Sequence, residues 1–223
     1  GNEILGSGAP GYFAGGNTYI LREGEALGLF WGLDYQGVYQ GGALPAGTAV
    51  QDASLDGNGN PIPGEPLFAD VADEEGNLDG VINDNDRQII GDPNPDFTFG
   101  FTNTFTYKKF DLNIFFQGAV GGDIYNLTAV QLYNGDSNGL TDVLNSWTPN
   151  NTDTDIPRAA IRGRERSSRF VEDGSYVRLK NVALGYSLPN GMLDKVGIGS
   201  ARLSISAQNL LTFTNYSGLD PEV

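Results

Sequence analysis

The sequence predicts an all-β chain, part of a large antiparallel transmembrane β-barrel with long extracellular loops and about six strands in this stretch. Three observations carry the prediction. Several segments alternate apolar and polar residues with period two, as strands with two unlike faces do. Brief connections alternate along the chain with very long ones, as in outer-membrane barrels, where short periplasmic turns alternate with extended outward loops. No uninterrupted apolar run is long enough for a membrane-spanning helix, which needs about 18 residues, whereas barrel strands need only about 9–11. A soluble β-sandwich also alternates. The loop asymmetry and the Thr, Ser, Asn and Gln of the polar face favour the barrel.

Taken in order, 11–22 and 27–40 read as two strands of weaker alternation, joined by Arg22-Glu23-Gly24-Glu25. A long acidic connection, 41–95, follows; a structureless loop of that length is foreign to a compact soluble domain. Asp92-Pro93-Asn94-Pro95 keeps the chain extended into 97–107, the clearest strand. There Phe97, Phe99, Phe101, Phe105 and Tyr107 share one parity, and Thr98, Gly100, Thr102, Thr104 and Thr106 share the other. After Lys108-Lys109 the pattern resumes with Phe110, Leu112, Ile114 and Phe116 opposite Asp111, Asn113 and Gln117, so the two segments read as a hairpin. A second long connection, 121–170, carries Leu140, Val143, Leu144 and Trp147 at helical spacing behind Thr141, the pattern of a short capped helix.

Segment 175–188 is a strand with a flaw. Val182, Leu184, Tyr186 and Leu188 share a parity with Arg178 and Lys180. Either the charged pair lies beyond the apolar band, or a bulge near Asn181 shifts the facing. Pro189-Asn190-Gly191 turns the chain. In the last strand, 201–213, Leu203, Ile205, Ala207, Leu211 and Phe213 alternate with Arg202, Ser204, Ser206, Gln208 and Thr212. Six strands cannot close a barrel, whose smallest single-chain examples have eight, and the chain opens Gly1-Asn2-Glu3 without a leader pattern. Both features read as a piece of a longer protein.

The chemistry available is limited. The chain has no Cys and no His, which removes thiolate chemistry and the commonest general base and transition-metal ligand. Its formal net charge is −15, a balance that repels a phosphate backbone, so no nucleic-acid partner is expected. Between Asp52 and Asp96 stand twelve Asp/Glu against Arg87 alone, while Arg158, Arg162, Arg164, Arg166 and Arg169 cluster around Glu165. The arginines read either as an anion or partner contact or as loop charges paired with the acidic 52–96 stretch. Trp31, Tyr35, Tyr39, Trp147 and Tyr216 have the rings to stack on sugars, but read first as girdle or loop-core aromatics. No carboxylate pair has the context of a glycosidase site, so no enzyme is expected.

The sharpest local signal is a candidate calcium loop. Glu75, Asn77 and Asp79 fall at positions 1, 3 and 5 of the twelve-position pattern. Gly80 takes the sharp turn, Val81 offers its carbonyl, and Asn83 and Asp86 fall at positions 9 and 12. Glu at position 1 and the short Asp at position 12 depart from the pattern, and the alternative is a solvated turn whose Asn and Asp satisfy their own backbone.

Several stretches together resemble one known family. Gly80-Val-Ile-Asn-Asp-Asn-Asp-Arg87, Ile90-Gly-Asp-Pro-Asn-Pro-Asp-Phe97, Tyr107-Lys-Lys-Phe-Asp-Leu112 and Phe116-Gln-Gly118 resemble the SusC/RagA family of TonB-dependent outer-membrane transporters. So do Ser168-Arg-Phe-Val-Glu-Asp-Gly-Ser-Tyr-Val-Arg-Leu-Lys-Asn181, Leu184-Gly-Tyr-Ser-Leu-Pro189, Gln208-Asn-Leu210 and Tyr216-Ser-Gly-Leu-Asp-Pro-Glu222. The resemblance covers most of the chain and is looser before residue 65. It implies a barrel of about 22 strands, of which 1–223 is the C-terminal part short of the closing strand, with the plug domain absent. It further implies import of oligosaccharides or peptides across the outer membrane of Bacteroidetes-type bacteria. TonB would act through the missing N-terminal part, and a SusD-type surface lipoprotein would be the partner over the outward loops. The competing reading is a secreted, calcium-stabilised β-domain that binds glycans.

Overall fold

The computed structural model describes residues 12–14, 18–73, 75–133, 139–159, 165–189, 191 and 197–222. In chain order the strands are β1 (Tyr12–Ala14), β2 (Tyr19–Leu21), β3 (Leu29–Leu33), β4 (Tyr35–Val38), β5 (Thr48–Ala49), β6 (Pro66–Ala69), β7 (Arg87–Gly91), β8 (Phe97–Tyr107), β9 (Phe110–Val120), β10 (Asp123–Tyr125), β11 (Val171–Asp173), β12 (Tyr176–Ser187) and β13 (Arg202–Thr214), and the helix α1 spans Leu127–Leu132. The chain divides into two compact units: Gly1–Asn94 with Asp123–Glu172, and Pro95–Gly122 with Asp173–Val223.

The first unit is built like a water-soluble protein. Its sheets run β1-β2-β3-β7 and β4-β6-β5, with β10 paired to β11. Phe30, Tyr125, Ala129 and Phe170 form one core; Leu33, Ala49, Phe68 and Ile82 a second; Tyr39, Val50 and Leu67 a third. The first core joins Phe30 to residues about a hundred or more positions on, and the Arg158 N–H donates to the Gly64 carbonyl at 2.8 Å, so the two long connections fold together instead of hanging as separate loops. Asn126 caps α1 by accepting from the Ala129 N–H at 2.8 Å, which satisfies a donor that a short helix cannot satisfy internally.

Two sequence expectations shift here. Segments 11–22 and 27–40 supply only short strands, and β3 is buried along almost its whole length. A strand covered on both faces needs no alternation, which is why the pattern was weak. The helix expected at 140–147 is a five-residue 3-10 turn, Thr141–Asn145, with no side-chain cap and with Leu144 90% exposed. Helical spacing there never becomes a buried stripe, because the Trp147 indole N–H turns instead to the Gln40 side-chain carbonyl at 2.7 Å.

The second unit is a meander of four long antiparallel strands in the order β13-β12-β9-β8. Tyr107 pairs with Phe110 across Lys108-Lys109, and Lys108 takes φ +56°, the left-handed backbone that tight two-residue hairpins demand. Directly paired residues share a face, so the registers sort every side chain. One face carries Phe99, Phe101, Asn103, Phe105 and Tyr107 from β8, opposite Gly118, Phe116, Ile114, Leu112 and Phe110 from β9. It continues through Val177, Leu179, Val182, Leu184 and Tyr186 of β12 to Phe213, Leu211, Ala207, Ile205 and Leu203 of β13.

Of the two readings of the flaw in β12, the structure shows the bulge. Registers shift between Leu179 and Asn181 on both sides of the strand. Lys180 is the extra residue against β9, and Asn209, at φ +50°, relieves the step on β13. The bulge inverts the parity, so Arg178 and Leu184 point to opposite faces although both numbers are even.

Candidate functional site

The apolar face of the four-stranded sheet is exposed. Phe101 is 57% accessible and Ile205 72%, with Phe97, Phe105, Tyr107, Leu203, Leu211 and Phe213 similarly bare. Among the described residues every buried apolar side chain except Tyr176 lies in the first unit. A patch of this extent on a sheet is a lipid or partner surface. Eleven residues at ~3.3 Å each, tilted by about 45°, rise roughly 25 Å along a membrane normal, the height of a barrel's apolar band. No helix of the described residues is long and apolar enough to cross a membrane, and the strands need none.

The opposite face is the chemical one. Its middle is uncharged: Thr102 and Thr104, Asn113 and Phe115, Asn181 and Ala183, Ser204, Ser206 and Gln208, with the Asn113 amide donating to the Thr104 hydroxyl at 3.0 Å. Ion pairs bound this band at both ends. Near the hairpin end, Arg202 crosses β12 to pair with Asp111. Gly185 permits the crossing, because a Cβ there would collide with the guanidinium. At the far end Arg178, 4% exposed, pairs with Asp220 and Glu222 and donates to the Thr212 hydroxyl at 3.0 Å. Lys180 and Gln117 also bind Glu222, at 2.8 Å and 3.1 Å. The chain after β13 is thus drawn back against the polar face, a contact between Arg178 and Asp220 that alternation alone does not signal.

In the first unit the candidate calcium residues are found engaged with their own backbone. Glu75 is exposed at a turn in which Asp73 accepts the Asn77 N–H at 2.7 Å; that bond holds the Asp73 carboxyl below the usual carboxylate range. Asp79 accepts from the Val81 N–H, and the Val81 carbonyl accepts from the Asn83 amide. Asn83 and Asp86 form a reciprocal cap, and the buried Asp86 also accepts from the Val71 N–H at 2.9 Å. Asp70 accepts the Gly80 N–H at 2.9 Å, leaving its second oxygen buried without a partner. No three His, Cys, Asp or Glu side chains converge as a metal-holding group among the described residues.

Of the arginine run, Arg162 and Arg164 lie outside the described residues. Arg158 pairs at 2.5 Å with Glu65, which is 2% exposed and also takes the Ser54 hydroxyl. The arginine run and the acidic stretch therefore do pair, in a bridge buried at its Glu65 end where sequence suggested a solvated one. The aromatics serve packing. The Tyr39 hydroxyl donates to the Gly42 carbonyl, and that of Tyr35 to the Asp155 carbonyl, both at 2.6 Å. Burial pushes the Tyr35 and Tyr125 phenols up to about 12.

A sheet that is oily outside, hydroxyl- and amide-lined inside, and long enough to span a bilayer defines a stretch of transmembrane β-barrel wall. No family model matches the sequence. Curated relatives do: TonB-dependent receptor P3 of Formosa agariphila is 52% identical over 222 residues, covering 100% of this chain and 21% of that protein. TonB-dependent receptor P26 of the same organism is 33% identical over 99% of the chain and 21% of that protein. TonB-dependent receptor SusC of Bacteroides thetaiotaomicron is 29% identical over 178 residues, 78% of this chain and 17% of that protein. Among solved structures, the RagAB peptide importer in its open-open state superposes with a TM-score of 0.75 at 25% identity, over 99% of this chain and 22% of the matched chain. The chain belongs with the SusC/RagA-type TonB-dependent receptors as a portion of their barrel. It spans about a fifth of the length of the relatives it matches.

Proposed function

We propose that this chain is part of an importer that carries oligosaccharides or peptides across the bacterial outer membrane. TonB delivers the energy through a segment outside this chain, and a SusD-type surface lipoprotein is the partner. The observation that carries the proposal is the two-faced sheet. A polar face whose middle is neutral offers many weak, exchangeable hydrogen bonds and no strong charge to trap a solute. Likeness to the RagAB peptide importer supports the peptide arm; likeness to SusC supports the same transport class. The test is uptake of labelled oligosaccharides and peptides by cells lacking the full-length gene. Loss of one uptake, restored by complementation, is expected. Unchanged uptake of every glycan and peptide supplied would overturn the proposal.

Calcium at Glu75, Asn77, Asp79, Val81, Asn83 and Asp86 is a separate proposal, favoured by the partnerless buried oxygen of Asp70 beside the Gly80 turn. An ion there competes with the backbone N–H groups already held, so the affinity belongs in the weak, millimolar range of extracellular modules.

A further inference from the structure

Arg169 stands in the 3-10 turn Ser168–Phe170. Its guanidinium carbon lies 4.6 Å from the Tyr133 ring centroid, 5.4 Å from that of Phe170 and 5.7 Å from that of Tyr35. Such rings attract a cation over their faces, but they offer nothing to the N–H groups along the guanidinium edge. Those donors have no hydrogen-bond or ion-pair partner among the described residues. The acids around it are otherwise placed: Glu65 is taken by Arg158 and Ser54, Asp142 faces the Tyr133 hydroxyl, and Asp155 and Glu165 are near without pairing to it. Arg169 is partly exposed, so water meets these N–H groups, and an anionic acceptor entering beside the rings would displace it.

Beside this cation is a cavity of about 30 Å³, lined by Tyr35, Glu65, Phe68, Tyr133, Arg158 and Arg169. One water needs about 10–15 Å³ on this measure, so the space accommodates two oxygen-sized bodies. A planar acceptor with two oxygens is what a guanidinium fork binds best, through two parallel N–H···O bonds. We propose that the Arg169 cavity holds the carboxylate of an incoming solute, with the three rings orienting the fork. The neighbouring Glu165 opposes an anion, which sets the affinity of a small carboxylate in the millimolar range. This deepens the uptake reading by naming a chemical group on the solute. It rests on that reading only for the solute's biological source, because binding is measured without transport.

The test is saturation-transfer NMR on the detergent-solubilised full-length receptor with acetate, and with acetamide as the neutral isostere, at equal ionic strength. Acetate is expected to give at least a fivefold larger signal than acetamide. The excess should vanish in Arg169→Gln and persist in part in Arg169→Lys. Equal signals for the two probes on the unsubstituted receptor overturn the proposal whether or not the variants fold, as does an acetate signal unchanged in a folded Arg169→Gln. Competition by glucuronate but not glucose identifies a sugar acid. Competition by N-acetylalanine but not its amide identifies a peptide terminus. Failure of both acids to displace acetate overturns the assignment to a solute carboxylate.

Discussion

The facing of the sheet is most directly tested by introducing one charge at two adjacent positions of β8. Phe101 sits near the middle of the strand on the exposed apolar face, paired with Phe116; Thr102 is its neighbour on the polar face. Near the midplane of a bilayer an arginine on the lipid side of a barrel costs about 2–4 kcal/mol. Phe101→Arg also forfeits the transfer of a phenyl ring from water to lipid, about 1.5–3 kcal/mol. The substitution should therefore destabilise by roughly 4–7 kcal/mol, while Thr102→Arg, facing the lumen, should stay within about 1 kcal/mol. The assay is guanidinium unfolding of the full-length receptor reconstituted in liposomes, followed by tryptophan fluorescence. The same contrast is expected across the bulge, with Leu184→Arg costly and Ala183→Arg mild, since the register turns Leu184 outward. A Thr102→Arg penalty equal to or above that of Phe101→Arg would refute the assignment of faces.

Four further outcomes are expected. Arg178→Met removes the charge that holds Asp220 and Glu222; because those acids are 45% and 29% exposed, the cost should be about 1–2 kcal/mol, below that of a fully buried pair. Proteolysis at Asp220 of the reconstituted receptor should then run roughly 5–30-fold faster, and an unchanged rate would show that Arg178 does not hold this segment. Gly64→Ala should cost at least about 2 kcal/mol, read by unfolding of the full-length receptor, because Gly64 takes φ +89° and an added Cβ would meet the Trp147 indole. In an alkaline titration of tyrosine absorbance, Tyr35 and Tyr125 should ionise last, near pH 12. Since their folded values lie above the unfolded value of ~10, the stability they contribute is intact below pH ~10 and lost as pH rises towards 12; full ionisation of both by pH 10.5 in the native receptor would contradict their burial. At 10 mM calcium, a site of ~1 mM affinity would add about 1.4 kcal/mol, detectable as a raised unfolding midpoint reversed by chelator and absent in Asp79→Asn; no shift would end the calcium proposal.

The wall was legible from sequence because period two is a purely local signal, visible residue by residue in β8, β9 and β13. The bulge at Lys180 left a trace, a charged pair on the wrong parity, which a band-edge position would have explained equally well. The first unit was not legible, for physical reasons. Its strands are short, and β3, covered on both faces, carries Leu29, Phe30 and Leu33 without alternation. Its core contacts join residues such as Phe30 and Phe170, whose proximity no periodicity records. Helix α1 escaped notice because six residues hold under two turns, and its cap is an Asn in a stretch that reads as loop. The Leu140–Trp147 spacing, conversely, looked helical but lacked the buried face that keeps so short a helix folded. Of the site, Arg169 showed as one of a cluster, but the ring cage around it draws on Tyr35 and Tyr133 from distant segments.

The acidic character of 52–96 follows from the same backbone geometry. A unit of short strands and a brief helix leaves many N–H groups without a ladder partner, and each must find an acceptor. Aspartate supplies it at close range: Asp56 binds the N–H groups of Asn58 and Asn60, Asp73 that of Asn77, Asp79 that of Val81, Asp86 those of Val71 and Asn83, and Asp92 that of Asn94. Ionised carboxylates make these bonds stronger than neutral acceptors would. The stretch is therefore dense in acid because its backbone is irregular, and a metal loop and a self-capped turn draw on the same residues at the same spacing. Asp79→Asn separates them: the amide oxygen still accepts the Val81 N–H, so a turn that only caps itself keeps its stability, while a cation site loses a ligand charge and with it the calcium-dependent part.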